Sequence, residues 1–397
     1  MTSTEQMRQW AGPALFSYGF RPFFLFGAIW AAAAMVLWIA MLADVLTLPT
    51  RLDPVSWHAH EFLFGYLGAI IAGFLLTAVP NWTGRLPVVG WRLAALFGIW
   101  ILGRVAIGIS ALLLLGLPET IDLLFPVGLS GLILREIIVG KNWKNLIVLV
   151  LLAVFTFANL LFHLDAAHGG IAAQGVGMRL GVVSILIMIS VIGGRIVPSF
   201  TRNWMIKQGQ TDLPTPPMQR FDKATLVVTA LALGIWVFMP DGKISGVALV
   251  LIAGLHIMRL ARWKGINTLS EPLLWVLHLA YLMIPLGALS EGFAILQPDL
   301  IAIGSAQHLW MAGGFALMTL AVMVRATLGH TGQDLKASPA IVAIFGSVIA
   351  AVVMRLCAGI WPAGAMVLYS LSAVFWIGAF GGFAVLMGPS LLRKKEG

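Results

Sequence analysis

The chain has 397 residues, 60% hydrophobic and 10% charged, with 15 Trp, a formal charge of +9 and a mean hydropathy of +0.95. That composition excludes an ordinary water-soluble domain and fits an all-α, polytopic membrane protein. The positive charge is then a topology signal and not a nucleic-acid footprint, because Lys and Arg collect on the cytoplasmic side of membrane proteins.

A membrane helix needs about 20 apolar residues. Twelve such runs predict transmembrane helices over 20–42, 57–80, 91–112, 117–139, 145–163, 175–197, 223–240, 244–260, 271–291, 302–325, 338–357 and 364–388. Residues 1–397 thus read as a single twelve-helix domain lying in the lipid bilayer. The longest polar stretch, Ser199 to Lys223, contains Pro214, Pro216 and Pro217 and reads as a connecting loop. With both termini cytoplasmic, 20 of the 25 Lys and Arg fall on the inner side, including Arg8, Arg85, Lys394 and Lys395. Arg51 and Lys243 fall outside, and Arg104, Arg179 and Arg355 fall within helices. The first 19 residues lack a signal-peptide pattern, so no cleavage of this multi-pass chain is expected. A single cysteine, Cys357, excludes an intrachain disulfide, and no Cys-x-x-Cys-His exists for covalent haem attachment.

Trp57-His58-Ala59-His60-Glu61 opens the second helix. Imidazole and carboxylate at membrane depth are costly unless they hold a metal, a proton or each other. Residues two apart on a helix point about 200° apart, so His58 and His60 are expected to face different sites. Glu61, three residues after His58, shares its face and is expected to orient that imidazole or carry protons. His58 and Glu61 are therefore catalytic candidates, while Trp57 and His58 also suit plain interfacial anchoring.

The other histidines sort by depth. His163, four residues after Asn159 and on its face, and His308 join His58 and His60 at the outer level, with His168 in a loop. His256, His278 and His330 lie toward the inner face, and His278 shares a face with Tyr281. Imidazole suits copper and haem iron, which makes His58, His60, His163, His256, His278, His308 and His330 metal-ligand candidates. For His256 and His278 a shared haem or copper competes with hydrogen-bonded packing. Arg104, Arg179 and Arg355 suit bidentate binding of carboxylates, including haem propionates. Gly313 and Gly314 leave a face on which a porphyrin could lie, or serve helix packing.

An internal repeat supports the pairing of outer histidines. Residues 60–85 laid over 308–333 match His60 with His308, Gly65 with Gly313, Thr83 with Thr331 and Gly84 with Gly332. An offset of 118 brings in helix six, matching Pro80 with Pro198 and Thr83 with Thr201, with Met178 at the histidine position. Three parallel four-helix units follow, about 15–140, 141–260 and 261–390. This pattern resembles the catalytic subunit of haem-copper oxidases and nitric oxide reductases, with twelve helices around a pseudo-threefold axis. The resemblance implies a haem held between His60 and His308. The His-x-His pair here lies on helix two, not ten, and helix six has no histidine.

Four further segments carry a closer likeness: Tyr18-Gly19-Phe20-Arg21-Pro22-Phe23-Phe24, Trp57 to Gly65, Arg195-Ile196-Val197-Pro198-Ser199-Phe200-Thr201, and Met318 to Gly332. With these the chain resembles the NnrS family of bacterial inner-membrane proteins over nearly its whole length. Gln333 stands where most members carry Arg. The resemblance implies haem b, one or two per chain, together with copper, and a place in the nitric oxide response. The expected activity is binding and reduction of nitric oxide with electrons from an unidentified donor. A secondary transporter using buried His and Arg, or a haem nitric oxide sensor without turnover, are the competing classes.

Overall fold

A computed structural model describes residues 10–84, 87–299 and 303–393. Arg8, Arg85, Lys394 and Lys395 lie outside the described residues. Among the described residues the fold is all helical, without strands. The long helices are α1 (Phe20–Leu42), α2 (Pro54–His60, Glu61–Tyr66 and Leu67–Thr83), α3 (Trp91–Gly108), α4 (Leu117–Val139), α5 (Leu146–Ala167) and α6 (Val176–Met188, Ile189–Gly193 and Gly194–Lys207). They continue as α7 (Arg220–Phe238), α8 (Lys243–Ala261), α9 (Pro272–Leu296), α10 (Ile303–His308, Leu309–Phe315 and Ala316–Thr331), α11 (Pro339–Ile360) and α12 (Ala365–Leu392). Among the described residues, eleven helices are long and apolar enough to cross a membrane. The segment outside that count is α4, a 23-residue helix carrying Glu119, Asp122, Arg135 and Glu136.

Local chemistry explains where several helices start and stop. α2 begins at Pro54, earlier than the apolar run suggests. Asp53 caps it, its Oδ1 accepting from the Val55 and Ser56 backbone N–H groups at 3.0 Å, and Pro54 occupies a first-turn position that needs no donor. The expected loop at Ser199 begins only after Lys207, because α6 carries its polar end beyond the apolar run and keeps Pro198 inside it. His330 likewise belongs to the last turn of α10 and not to a loop after it. The repeated Thr-Gly pairs mark matching helix ends: Gly84 and Gly332 adopt φ of 66° and 80°, a left-handed stop that glycine tolerates without strain.

Three helices contain a wide π-helical stretch: Glu61–Tyr66 in α2, Ile189–Gly193 in α6 and Leu309–Phe315 in α10. The first and third begin directly after His60 and His308, at the same place in the proposed repeat. In α6 the π stretch starts later than Arg179, where an offset of 118 would put it. Such insertions concentrate at functional positions.

The chain divides into two compact units. One comprises residues 1–184, 326–333 and 380–397; the other comprises 185–325 and 334–379. In the first, α2 packs against α1 and α4, and α4 against α3 and α5. Arg21, buried in the Tyr-Gly-Phe-Arg segment, sends Nη1 to the carbonyls of Ser390, Leu391 and Arg393 at 3.3, 2.9 and 2.7 Å. It thus caps the carbonyl end of α12 with a cation. Tyr18 and Phe20 flank His330, with ring centroids 5.3 and 5.4 Å away. Burial pushes the Tyr18 phenol above its ordinary range, opposed by its hydrogen bond with Asn81. Gln333 bonds Thr331 Oγ1 at 2.8 Å and Ser390 Oγ at 2.9 Å. In the second unit α8 packs along α9, α7 along α8, and α9 against the π stretch of α10.

Candidate metal centre

His60 sits on the last α-helical turn of α2, fully buried, just before the helix widens. Its Nδ1 lies 3.0 Å from Glu61 Oε1, and its Nε2 lies 3.2 Å from Asn159 Oδ1 and 3.3 Å from Asp122 Oδ2. His163 enters from α5, its Nε2 3.1 Å from the same Asp122 Oδ2. Asn159, one turn earlier on α5, donates Nδ2 to that oxygen at 2.7 Å. The shared face of Asn159 and His163 thus converges on a carboxylate from α4.

Arg104 of α3 holds both acids. Nη1 donates to Glu61 Oε1 at 2.7 Å and Nη2 donates to Asp122 Oδ1. Trp30 of α1 donates Nε1 to Glu61 Oε2 at 2.9 Å. Gly65 makes room for these tips: a Cβ there would meet Arg104 Nη1 at 2.6 Å and Glu61 Oε2 at 2.9 Å. Helices α1 to α5 therefore each contribute a polar group to a site whose charged side chains are at most 4% exposed.

The donor atoms of His60, Asp122 and His163 all lie within 4.8 Å of one another. Ligand bonds of about 2.0–2.2 Å in a tetrahedral shell separate donors by about 3.3 Å. The two separations from Asp122 Oδ2, 3.1 and 3.3 Å, match that value, and the two imidazole nitrogens lie within 4.8 Å of each other. Two imidazoles and a carboxylate suit copper, iron or zinc. Charge points the same way. Glu61 and Asp122 bring two negative charges against the single guanidinium of Arg104, so the site needs one further positive charge, from a proton on imidazole or from a metal ion.

The expected partnership of Glu61 with His58 is corrected. Glu61 bonds to the adjacent His60, to Arg104 and to Trp30. The three-residue spacing fails because the backbone leaves α-helical periodicity at Glu61. His58 does face away from His60, as the 200° offset requires, and stacks on Trp38 at 4.1 Å and against Phe62 at 4.6 Å. Asp122 escaped the sequence reading altogether. An ionisable residue within an apolar run is the signal for it, although acids near a helix N-terminus are also ordinary first-turn charges.

The remaining candidates are not members of this cluster. Of Arg104, Arg179 and Arg355, only Arg104 is buried; Arg179 is half-buried and donates to the Gln174 carbonyl at 2.5 Å. In the second unit, His308 Nδ1 donates to the Gly304 carbonyl at 2.5 Å, which leaves Nε2 as the acceptor nitrogen. Half-buried Arg355 lies over the Tyr369 ring at 4.9 Å. Gly313 and Gly314 do not leave an open face. A Cβ on Gly313 would meet Met283 at 3.0 Å, and Gly314 also lies against Met283, so both glycines serve close packing of α9 and α10. His256 bonds Thr229 at 2.9 Å and His278 bonds Thr201 at 2.8 Å, giving each a separate hydroxyl partner. His168 is exposed, with Nδ1 2.7 Å from the Leu164 carbonyl.

The family model of the NnrS protein matches residues 14–395, nearly the whole chain. No match is found among curated proteins.

Proposed function

The chain belongs to the NnrS family, and on that premise we propose a haem- and copper-containing inner-membrane protein that binds nitric oxide and reduces it. Family membership supports a membrane protein of the nitric oxide response. The observation that carries the finer reading is the buried His60–Asp122–His163 cluster. A cuprous ion there would bring the two carboxylates and one guanidinium to neutrality, and imidazole is a suitable ligand for it. Haem b would take His308 through Nε2, with Arg355 on the same unit as a propionate partner. Bound iron and copper supply coordination positions for nitric oxide and a route for electrons from a donor.

The protein's own groups set the geometry. Glu61 fixes the His60 ring through Nδ1, as outer partners of metal-binding imidazoles do. Arg104 and Trp30 fix Glu61 in turn, and Asn159 fixes Asp122. The contact between Glu61 Oε1 and His60 Nδ1 can hold a proton beside the metal ligands. We further propose that α4 is a twelfth span and that both termini face the cytoplasm.

A proton-coupled carrier is the second reading, favoured by the closed network of Arg104, Glu61, Asp122 and His60. Anaerobic nitric oxide uptake by the purified, reduced protein separates the two. The metalloprotein reading expects a Soret band, uptake of nitric oxide with release of nitrous oxide, and loss of uptake in His163→Ala. Absence of both the Soret band and uptake would leave the carrier.

A further inference from the structure

The hydrogen bonds around Tyr281, in the second unit, have directions that follow atom by atom. The one hydroxyl proton of Thr229 goes to the Thr225 carbonyl at 2.7 Å. Its oxygen then accepts from Nε2–H of His256, 2.9 Å away. His256 Nδ1 is left as an acceptor, so Tyr281 donates its phenol proton to it across 2.8 Å. A guanidinium only donates, and Arg259 Nη1 gives its proton to the same phenol oxygen at 2.8 Å. Arg259 is anchored by Asp222 through Nε and by the Ser190 carbonyl through Nη1, both at 2.8 Å. Asp222 is itself held by the Gln219 N–H at 2.9 Å.

Tyr281, His256 and Arg259 are all 0% exposed. Loss of an electron turns a phenol into a strongly acidic radical cation, so oxidation of a buried tyrosine needs a base in contact to take the phenol proton at the same time. Here the proton acceptor is already in contact, with its lone pair aimed by Thr229. An aromatic contact leads away from the pair: the Trp263 ring lies 4.5 Å from that of Tyr281.

We propose that Tyr281 and His256 form a redox-active tyrosine–imidazole pair, a one-electron relay within the second unit. One electron leaves Tyr281 for an outer-sphere one-electron oxidant, the Oη–H bond breaks, and the proton forms an N–H bond at His256 Nδ1. The products are a neutral tyrosyl radical, an imidazolium and the oxidant reduced by one electron. Return of an electron from a one-electron reductant sends the proton back to Oη. Arg259 stays hydrogen-bonded to the oxygen throughout, its charge offset by Asp222. The relay requires neither copper at the first-unit cluster nor haem at His308, so it stands or falls separately from the metal assignment.

The chain has four tyrosines, which makes the radical assignable. Tyr18 stacks on His330, Tyr66 meets Phe380 edge-on and Tyr369 carries Arg355 on its face. The full chain in detergent micelles is oxidised by photogenerated tris(bipyridine)ruthenium(III) and frozen for electron paramagnetic resonance. The expected result is a neutral tyrosyl spectrum that narrows with ring-deuterated tyrosine and is lost in Tyr281→Phe. It should persist in a variant carrying Tyr18→Phe, Tyr66→Phe and Tyr369→Phe, folded by circular dichroism. That variant leaves Tyr281 untouched and so decides the assignment even where Tyr281→Phe does not fold. His256→Gln should abolish the neutral radical by removing the proton acceptor. No radical in the wild type, a signal surviving Tyr281→Phe, its absence from the folded triple variant, or an undiminished signal in His256→Gln would each overturn the proposal.

Discussion

Replacing Arg104 with Met keeps most of the apolar stem and deletes the one cation that Glu61 and Asp122 share. Both carboxylates stay where they are, with side chains 0% and 2% exposed. Breaking a buried ion pair by removing one partner costs about 3–5 kcal/mol, because an uncompensated charge remains in a weakly polarising interior. The upper half of that range applies here, since two acids lose the same partner and His60, in contact with both, can carry only one positive charge. An internal control is Lys264, paired with Asp212, whose side chain is 88% exposed. Lys264→Met should cost no more than about 1 kcal/mol. Stability would be read from reversible unfolding in mixed micelles followed by tryptophan fluorescence. Combining Arg104→Met with Glu61→Gln and Asp122→Asn should recover part of the loss, because no unpaired charge is then left behind. If Arg104→Met costs no more than Lys264→Met, or if the triple variant is no more stable than the single one, the account of a charge-coupled site is wrong.

Gly65→Ala should destabilise, although glycine to alanine inside a helix ordinarily gains about 0.5–1 kcal/mol. The new Cβ would meet Arg104 and Glu61 at 2.6 and 2.9 Å, so the unfolding midpoint should fall along with metal content. Arg21→Met should cost about 1–3 kcal/mol by leaving three carbonyls at the end of α12 without their donor, with increased proteolysis of the C-terminal turn as the local readout. A reporter fused after Lys395 should be active only in the cytoplasm, and activity only in the periplasm would invert the proposed topology.

Helix positions were legible in the sequence because apolar length and charged breaks report them directly. Leu117 to Val139 appears with the bounds that the apolar run implies. Positions beyond the apolar signal were not legible: α6 continues through Arg202 and Lys207, and α2 starts at an Asp-Pro cap. The site was half visible. His60, His163 and Arg104 stood out as ionisable residues at membrane depth, and Asn159 was placed on the His163 face. Glu61 was assigned the wrong imidazole because a π stretch changes which spacings share a face. Asp122, which joins the two histidines, was not legible as a ligand, because an acid early in α4, three residues after Glu119, has the pattern of an ordinary first-turn charge. The matched His60 and His308 acquire a physical correlate in the π stretches that follow each of them.

The central claim is that His60, Asp122 and His163 hold a metal ion. Metal content of the purified full-length protein, measured by mass spectrometry of the elements beside His60→Ala, His163→Ala, Asp122→Asn and the exposed His168→Ala, tests it most directly. One copper per chain is expected in the wild type and in His168→Ala, lost from each of the other three while helical content is retained. Copper retained in folded His60→Ala and His163→Ala, or none in the wild type after copper loading, would contradict it.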